Sequence, residues 1–181
     1  MKTAVLVIDM INDFVTGVFK NRRAEKIIPN VKQLLSFARE NKIPVVYVSD
    51  AHLPSVDTEF NVWGQHAVAG TWGAQVVDEL VPRKGDFILQ KRRYSGFQGT
   101  DLDQLLRDLE VDTLILTGVV TDICIQHTAA DAFFKGYRTT VPKDCVEAID
   151  DQTQMSALNY MQRVYRCEIT EADKIMKRKW S

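Results

Sequence analysis

Short runs of apolar residues alternate with longer amphipathic segments along this chain, and this alternation limits the folds open to it. Residues 4–8 (AVLVI) form a run of strand length that ends at Asp9. A strand with apolar residues on both faces is typical of a parallel sheet covered on both sides. Over residues 27–41 apolar side chains recur at helical spacing, with Pro29 tolerated in a first turn, and residues 44–48 again resemble a strand. The pattern predicts a β-α-β unit.

The same alternation continues toward the end of the chain. Further strands are predicted over residues 87–89, 114–116, 138–141 and 166–169, and further helices over residues 102–109 and 154–164. No repeat or linker divides the sequence. We therefore expect a single α/β domain over residues 1–181, a three-layer α/β/α sandwich around a mostly parallel sheet of about six strands. Residues 50–72 lack this pattern, and irregular segments of such length are usually functional.

Composition and charge argue against several classes of protein. The chain of 181 residues is 45% hydrophobic and 26% charged, which is ordinary for a globular domain. Its formal net charge is −1, no basic stripe suggests nucleic-acid binding, and the cationic residues 174–179 are interpreted as a solvated end. No run approaches the roughly 18 apolar residues of a membrane span, and no cleavable apolar segment follows Met1. We expect a cytoplasmic protein with neither nucleic-acid nor membrane partners.

The three cysteines do not form the pattern of a disulfide framework. Their number is odd and no CxxC pair occurs, which argues against structural disulfides and against a zinc ribbon. Cys145 and Cys167 lie near predicted strands, and we interpret both as thiols without chemistry. Cys124 differs from them because it follows a predicted strand and a glycine turn.

A buried strand, a turn led by Gly118 and a helix are predicted in succession over residues 113–132 (TLILTGVVTDICIQHTAADA). Cys124 falls in the first turn of that helix, and Thr121 or Asp122 is a candidate N-cap. Free N–H groups and the helix dipole favour an anion there, so we expect the Cys124 thiol to ionise below its usual pKa of about 8.5. The alternative is a buried structural thiol, because free cysteine is among the most buried residue types.

Polar residues that could take part in catalysis or binding fall where the predicted strands end. Asp9 closes the first strand, Asp50 and His52 follow the second, Lys91 closes the third and Cys124 follows the fourth. In open α/β sheets ligands bind beyond the carboxyl ends of the strands, so we expect these side chains to converge. Each residue alone also has an ordinary interpretation as a cap or a solvated side chain.

The converging residues suit one kind of chemistry. A cysteine hydrolase needs a base for the thiol proton, a cation beside the thiolate and backbone N–H donors for the oxyanion. Asp9, Lys91 and Cys124 supply the base, the cation and the nucleophile. His127 is an alternative partner for the thiol, since it lies three residues after Cys124 on a neighbouring helical face.

Three segments resemble the signatures of the isochorismatase-like cysteine hydrolases: IDMINDF with Asp9, KRRYSGFQGTDL with Lys91, and TGVVTDICIQHTAADAFFKGY with Cys124. The resemblance covers nearly the whole chain in order. It implies a catalytic triad of Asp9, Lys91 and Cys124. It also implies a cis peptide between Val119 and Val120, with the N–H groups of Val120 and Cys124 forming an oxyanion hole.

The segments SDAH and WGQH resemble nicotinamidases within that superfamily. Asp50, His52 and His66 match the nicotinamidase metal ligands. One carboxylate and two imidazoles suit a divalent metal, zinc first and iron or manganese as alternatives. Nicotinamidases often have a further polar residue near the metal, and three residues of this segment are candidates: Asp57, Thr58 and Glu59.

The resemblance implies hydrolysis of a small amide with release of ammonia through a thioester. Nicotinamide is the favoured substrate, because its pyridine nitrogen suits the expected metal and would direct its carboxamide toward Cys124. Phe14 and Trp63 match the aromatic positions that flank a planar ring in nicotinamidases. N-carbamoylsarcosine amidohydrolases share the triad, so their substrate, or another small amide of the superfamily, is the alternative. The carboxylate of N-carbamoylsarcosine would bind the metal or a basic residue such as Arg92 or Arg93.

Two further expectations concern a catalytically inactive protein of this fold and self-association. A protein that keeps this fold and only binds a small ligand is a less favoured alternative, because loss of catalysis would first remove Asp9, Lys91 or Cys124. Small α/β hydrolases of this resemblance commonly form homo-oligomers. Three aromatic residues near the end of the Cys124 helix are candidates for the apolar interface: Phe133, Phe134 and Tyr137.

Overall fold

A computed structural model of the protein describes residues 2–178. Within them seven strands form one sheet, and the pairings between these strands are parallel. Every residue of the first two strands is buried, which explains their continuous apolar sequences. The strands are β1 (Thr3–Ile8), β2 (Val45–Asp50), β3 (Phe87–Lys91), β4 (Thr113–Val119), β5 (Arg138–Pro142), β6 (Val146–Glu147) and β7 (Glu168–Thr170).

Helices connect most of these strands: α1 (Asn12–Val15), α2 (Arg22–Glu40), α3 (Phe60–Trp63), α4 (Leu102–Asp108), α5 (Gln126–Phe134), α6 (Asp151–Tyr165) and α7 (Ala172–Met176). Helix α2 begins five residues before the predicted start, because Asn21 caps it by accepting the N–H of Arg23 at 3.1 Å. Pro29 therefore lies inside α2 and not in its first turn. Between residues 2 and 178, no helix has the length and apolar character needed to cross a membrane.

The order of the strands creates a crevice at one edge of the sheet. The order is β3-β2-β1-β4-β5-β7, and β6 pairs separately with β4. The chain builds outward from β1 to β3 and then returns to the other side of β1 to form β4. Connections from β1 and β4 therefore leave in opposite directions, and ligands bind at such switch points beyond the carboxyl ends of the strands.

Helices cover both faces of the sheet and form two hydrophobic cores. Val5 and Val7 of β1 pack in the layer of α2 and α7, whereas Ala4, Leu6 and Ile8 pack in the layer of α4, α5 and α6. Alternate residues of one strand thus enter opposite cores. The predicted three-layer α/β/α sandwich is confirmed.

Two details of the sheet differ from the prediction. The sheet has seven strands because β6, of only two residues, pairs with β4 beyond β5, and a segment this short has no recognisable pattern. The last strand begins at Glu168, two residues later than predicted. Arg166 ends α6 in the left-handed conformation, with a φ of 57°, and is not part of the strand.

One surface interpretation changes, whereas the cationic end is solvated as expected at Lys174, whose side chain is 68% exposed. Tyr137 is only 5% exposed, so its prediction as an interface residue is wrong. Its ring stacks on Phe97 and its hydroxyl donates to Asp103 Oδ1 at 2.7 Å, which places it in the core. Of the cationic end, Lys174 lies in α7 and pairs with Glu171 at 3.2 Å, whereas position 179 lies outside the described residues.

The tight contact between β1 and β4 yields a stability prediction. Gly118 has a φ of 109°, and a Cβ there would lie 1.9 Å from the carbonyl oxygen of Ile8. We expect Gly118→Ala to lower the free energy of unfolding by about 3 kcal/mol or more, since backbone strain and overpacking add together. Chemical denaturation measures this loss.

Gly85→Ala is the matched control for that substitution. Gly85 has a φ of 101°, but a Cβ there would meet no atom of the described residues within 4 Å. It should therefore cost only the backbone strain, about 1 kcal/mol. Equal losses for the two variants would contradict the close approach of β4 to β1.

Candidate active site and metal centre

Three strand ends bring the predicted catalytic residues into contact. Asp9 directly follows β1, Lys91 is the last residue of β3, and Cys124 lies in the turn after β4. Lys91 Nζ lies 2.7 Å from Asp9 Oδ2 and 3.6 Å from Cys124 Sγ. All three residues are at most 3% exposed. The sheet therefore assembles an acid, a cation and a thiol from residues far apart in the sequence.

Asp50 joins this group through the register of the sheet. The parallel pairing of β2 with β3 sets Asp50 beside Lys91. Lys91 Nζ donates to Asp50 Oδ1 at 2.7 Å, and the N–H of Asp50 donates to Asp9 Oδ1 at 2.8 Å. The ammonium thus lies between two carboxylates and links three neighbouring strands.

These contacts determine the charge states of the group. Burial alone would lower the pKa of Lys91, but the adjacent carboxylates of Asp50 and Asp9 outweigh it and raise that pKa well above its usual value. Burial, together with repulsion from Asp50, raises the pKa of Asp9 to about 6. Lys91 is therefore an ammonium, and Asp9 has the pKa of a general base that works near neutral pH.

The Cys124 thiol does not have the lowered pKa that its place in the sequence predicts. Burial raises its pKa well above the usual value, Asp9 and Asp50 raise it further, and Lys91 opposes them. One ammonium does not offset burial and two carboxylates. The resting thiol therefore keeps its proton.

The turn that carries Cys124 is π-helical and spans Thr121–Ile125. It continues directly into α5. The prediction of Thr121 or Asp122 as N-cap is wrong, because the turn begins one residue earlier than expected. Val120 is the capping residue, and no side chain of residues 2–178 caps the turn. Single π-helical turns within helices are frequent at functional sites.

The peptide bond between Val119 and Val120 is cis, at the position that the family resemblance implied. Val120 is 8% exposed and lines the same cavity as Cys124. The backbone on both sides of the cis bond therefore borders the space that the thiol faces.

His127 does not pair with Cys124. Its Nδ1 lies 2.7 Å from the carbonyl oxygen of Ile123, and its ring lies 5.5 Å from the ring of Tyr94. It is exposed and borders a neighbouring groove, not the cavity lined by Cys124. The alternative of a thiol–imidazole pair is wrong, because residue 127 lies on the outer face of the helix.

Four buried side chains beside Lys91 form what we call the metal cluster: Asp50, His52, Glu59 and His66. One potential ligand atom from each residue lies within 4.8 Å of the others. The structure thus selects Glu59 from the three candidates for a further polar residue. Thr58 is exposed, and Asp57 contacts the far side of the His52 ring, with its Oδ2 3.3 Å from Nδ1.

The metal cluster has the chemistry of a divalent-cation site. His52 Nε2 lies 3.6 Å from Asp50 Oδ2 and 3.7 Å from Glu59 Oε2. This buried nitrogen has no hydrogen-bond partner among residues 2–178. Buried polar atoms are normally satisfied, and two imidazoles with two carboxylates match the ligand set of zinc, iron or manganese.

His66 is held by contacts that the sequence did not reveal. Its Nδ1 donates to the carbonyl oxygen of Gly64 at 2.8 Å, which leaves Nε2 for a metal. Burial lowers the pKa of His66 and so favours the neutral imidazole. The next residue, Ala67, donates its N–H to Asp13 Oδ2 at 2.8 Å. Asp13 is 8% exposed and fixes this part of the loop, but no local pattern marks it.

Cys124 and three members of the metal cluster line one cavity of about 480 Å³. The predicted aromatic residues Phe14 and Trp63 also line it. The ring of Phe14 lies 5.8 Å from that of His66, and Trp63 Nε1 donates to the hydroxyl of Tyr94 at 3.0 Å. Phe19 and Tyr94 are further aromatic lining residues that were not predicted.

The remaining predicted residues lie outside this cavity. Arg92 and Arg93 both bind Asp57 and do not border the cavity, so the prediction that either meets a substrate carboxylate there is wrong. Cys145 and Cys167 are buried in the two hydrophobic cores, in agreement with their interpretation as thiols without chemistry.

Comparison with known proteins identifies the family. The isochorismatase domain matches residues 3–173. The structure of N-carbamoylsarcosine amidase from Thermoplasma acidophilum is 40% identical, has a TM-score of 0.90, and the match covers 96% of this chain and 98% of that one.

Two nicotinamidase-type structures are also similar. Nicotinamidase PncA from Bacillus subtilis is 30% identical with a TM-score of 0.89, over 94% of this chain and 100% of that one. Pyrazinamidase of Pyrococcus horikoshii, solved in complex with zinc, is 30% identical with a TM-score of 0.87, over 94% of this chain and 99% of that one. The chain belongs to the isochorismatase family of cysteine hydrolases.

Proposed function

We propose that this protein hydrolyses the amide bond of a small molecule with Cys124 as nucleophile. The observation that carries the proposal is the position of the Lys91 ammonium, in contact with Asp9 and with the Cys124 sulfur at the wall of the cavity. Asp9 takes the thiol proton while the sulfur attacks the carbonyl carbon, and Lys91 stabilises the thiolate that develops. Because the resting thiol is neutral, this proton transfer accompanies the attack.

The later steps use the same residues. The N–H groups of Val120 and Cys124 donate to the oxyanion of the tetrahedral intermediate. The C–N bond breaks, Asp9 returns its proton to the leaving nitrogen, and ammonia departs from a thioester. Asp9 then takes a proton from water as it attacks the thioester, the C–S bond breaks, and the Cys124 sulfur regains its proton.

The metal cluster would hold a divalent cation, zinc by preference and iron or manganese as alternatives. Such a cation, when bound, supplies a Lewis-acid site for a nitrogen or oxygen atom of the substrate. Asp50, Glu59 and His66 border the same cavity as Cys124, so the cluster can fix a substrate whose carbonyl faces the thiol. The zinc in the similar pyrazinamidase of Pyrococcus horikoshii supports this assignment.

We propose nicotinamide as the substrate, with nicotinate as the product. Its ring is flat and aromatic, and Phe14 and Trp63 offer aromatic surfaces in a cavity of about 480 Å³. Its ring nitrogen would meet the metal cluster while its carboxamide meets Cys124. The similarity to a nicotinamidase structure supports this choice.

N-carbamoylsarcosine is the second candidate substrate, because an amidase for that compound is 40% identical to this chain. Its carboxylate would bind the metal or a basic side chain. Arg92 and Arg93 are bound to Asp57, whereas Lys20, Arg22 and Arg23 line the cavity. The intact contacts among Asp9, Lys91 and Cys124 argue against a silent ligand-binding protein.

Self-association and a cytoplasmic location remain predictions. We propose that homo-oligomers form through the surface of Phe133 and Phe134, which are 44% and 74% exposed and whose rings contact Tyr165. Light scattering of the wild type and of Phe134→Asp at micromolar concentration tests this surface. A wild-type monomer would contradict it.

Loss of the nucleophile tests the reaction itself. Cys124→Ala should lower kcat by at least about 10⁴-fold, because removing a nucleophile removes the whole covalent route. Circular dichroism should show an unchanged fold. Cys167→Ala is the control, since that thiol is buried away from the cavity, and it should keep kcat within about twofold. Appreciable amidase activity in Cys124→Ala would mean that the nucleophile is assigned wrongly.

Ammonia release from nicotinamide, benzamide and N-carbamoylsarcosine tests the substrate and the metal together. Nicotinamide should be the fastest, and chelation should slow it about 100-fold or more, because misplaced substrates lose rate on that scale. Added Zn²⁺ should restore the rate. Benzamide lacks the ring nitrogen, so it should be slow before and after chelation. Indifference to chelation, or preference for N-carbamoylsarcosine, would contradict the proposal.

A further inference from the structure

We propose that Arg92 is a positioning residue for the metal cluster, and that it acts through Asp57 on His52. The inference rests on the proposed function of the cluster as a metal site. Arg92 directly follows Lys91 at the end of β3. One strand end would then serve both the thiol, through Lys91, and the metal cluster, through Arg92.

The first observation is the number of donors around one buried carboxylate. Arg92 contacts both oxygens of Asp57, with Nε at 3.0 and 3.1 Å and a terminal nitrogen at 2.6 Å. Arg93 adds one contact at 3.2 Å, and the N–H of Leu53 donates at 2.8 Å. The Asp57 side chain is 0% exposed, so it depends on these donors to remain charged.

The second observation is the contact between Asp57 and His52. Asp57 Oδ2 lies 3.3 Å from His52 Nδ1. Arg92 binds both oxygens of Asp57 and the N–H of Leu53 donates to Oδ2, so Asp57 faces His52 as a carboxylate that only accepts hydrogen bonds. The Nδ1 of His52 therefore carries its proton, and the lone pair lies on Nε2, the nitrogen beside Asp50 and Glu59.

The third observation is the weak anchoring of the segment that carries Asp57 and Glu59. Helix α3, which follows directly, buries none of its residues. Leu53 and Val56 are 40% and 60% exposed. Besides the ring contacts of Phe60 with His52 and His66 and the hydrogen bond from Trp63 to Tyr94, the ion pairs of Asp57 anchor this segment to the sheet. Arg92 thereby also helps to place Glu59, two residues after Asp57.

The test measures metal affinity, not activity. Zn²⁺ affinity is determined by competition with a chromophoric chelator, and Co²⁺ serves as a spectroscopic probe of the ligand geometry. Arg92→Ala should weaken Zn²⁺ binding about 10- to 100-fold, the usual effect of losing a partner behind a metal ligand, and should change the visible Co²⁺ spectrum. Arg92→Lys keeps the charge but loses the paired geometry, so it should restore affinity only in part.

Two other arginine-to-alanine variants are controls for Arg92→Ala. Arg93→Ala removes a single contact to Asp57 and should weaken binding less than Arg92→Ala. Arg83→Ala removes an exposed arginine elsewhere on the surface and should leave the affinity unchanged. A similar loss in Arg83→Ala would show a general charge effect and overturn the proposal.

A double-mutant cycle tests whether Arg92 acts through Asp57. Asp57→Asn keeps the shape of the side chain and removes its charge, so the protein should still fold. If the two residues act in series, Arg92→Ala together with Asp57→Asn should weaken Zn²⁺ binding by much less than the product of the single effects. Multiplicative losses would overturn the proposal.

A separate measurement tests whether Arg92→Ala disturbs the end of β3, where Lys91 contacts the Cys124 sulfur. The rate of Cys124 alkylation in metal-free protein should be the same in Arg92→Ala and in wild type. A changed rate would show that the loss of Zn²⁺ affinity comes from a disturbed end of β3, and it would overturn the proposal. If wild type binds no Zn²⁺, the metal site itself fails; if wild type and Arg92→Ala bind Zn²⁺ equally, only the role of Arg92 fails.

Discussion

One buried ammonium between two carboxylates holds the functional end of this sheet together. Lys91 lies 2.7 Å from both Asp9 and Asp50, and these side chains are at most 2% exposed. Removing one partner of such a group leaves an uncompensated buried charge, at a cost of about 3 to 5 kcal/mol. Each charge therefore depends on the others, and together they tie β1, β2 and β3 at their carboxyl ends. The same interaction sets the ammonium beside the Cys124 sulfur.

Asp50 connects the thiol to the metal cluster. Its Oδ1 accepts from Lys91 at 2.7 Å, and its Oδ2 lies 3.6 Å from His52 Nε2. One carboxylate thus serves the cation that faces Cys124 and the cluster that would orient the substrate. Because both groups border one cavity, the chain can bring binding and bond cleavage together without a second domain. This shared residue explains why the two predicted groups border one cavity.

The sequence predicted those features that depend on regular structure. Apolar runs and the polar residue that ends each one indicated the parallel sheet, and parallel strands necessarily bring their carboxyl ends to one edge. Features set by contacts across the fold were not predictable. The choice of Glu59 depends on how Asp57 meets Arg92, and the raised pKa of the Cys124 thiol depends on groups from three strands. Asp13 acts through the backbone of a distant loop, which leaves no local pattern.

The central claim is that an acyl group passes through the Cys124 sulfur, and partitioning of that group between two nucleophiles tests it most directly. Nicotinamide and methyl nicotinate are each turned over in the presence of hydroxylamine, and the ratio of nicotinohydroxamate to nicotinate is measured. Both substrates form the same thioester, so the account predicts one ratio for both leaving groups. A ratio that depends on the leaving group, or no hydroxamate from either substrate, would contradict it.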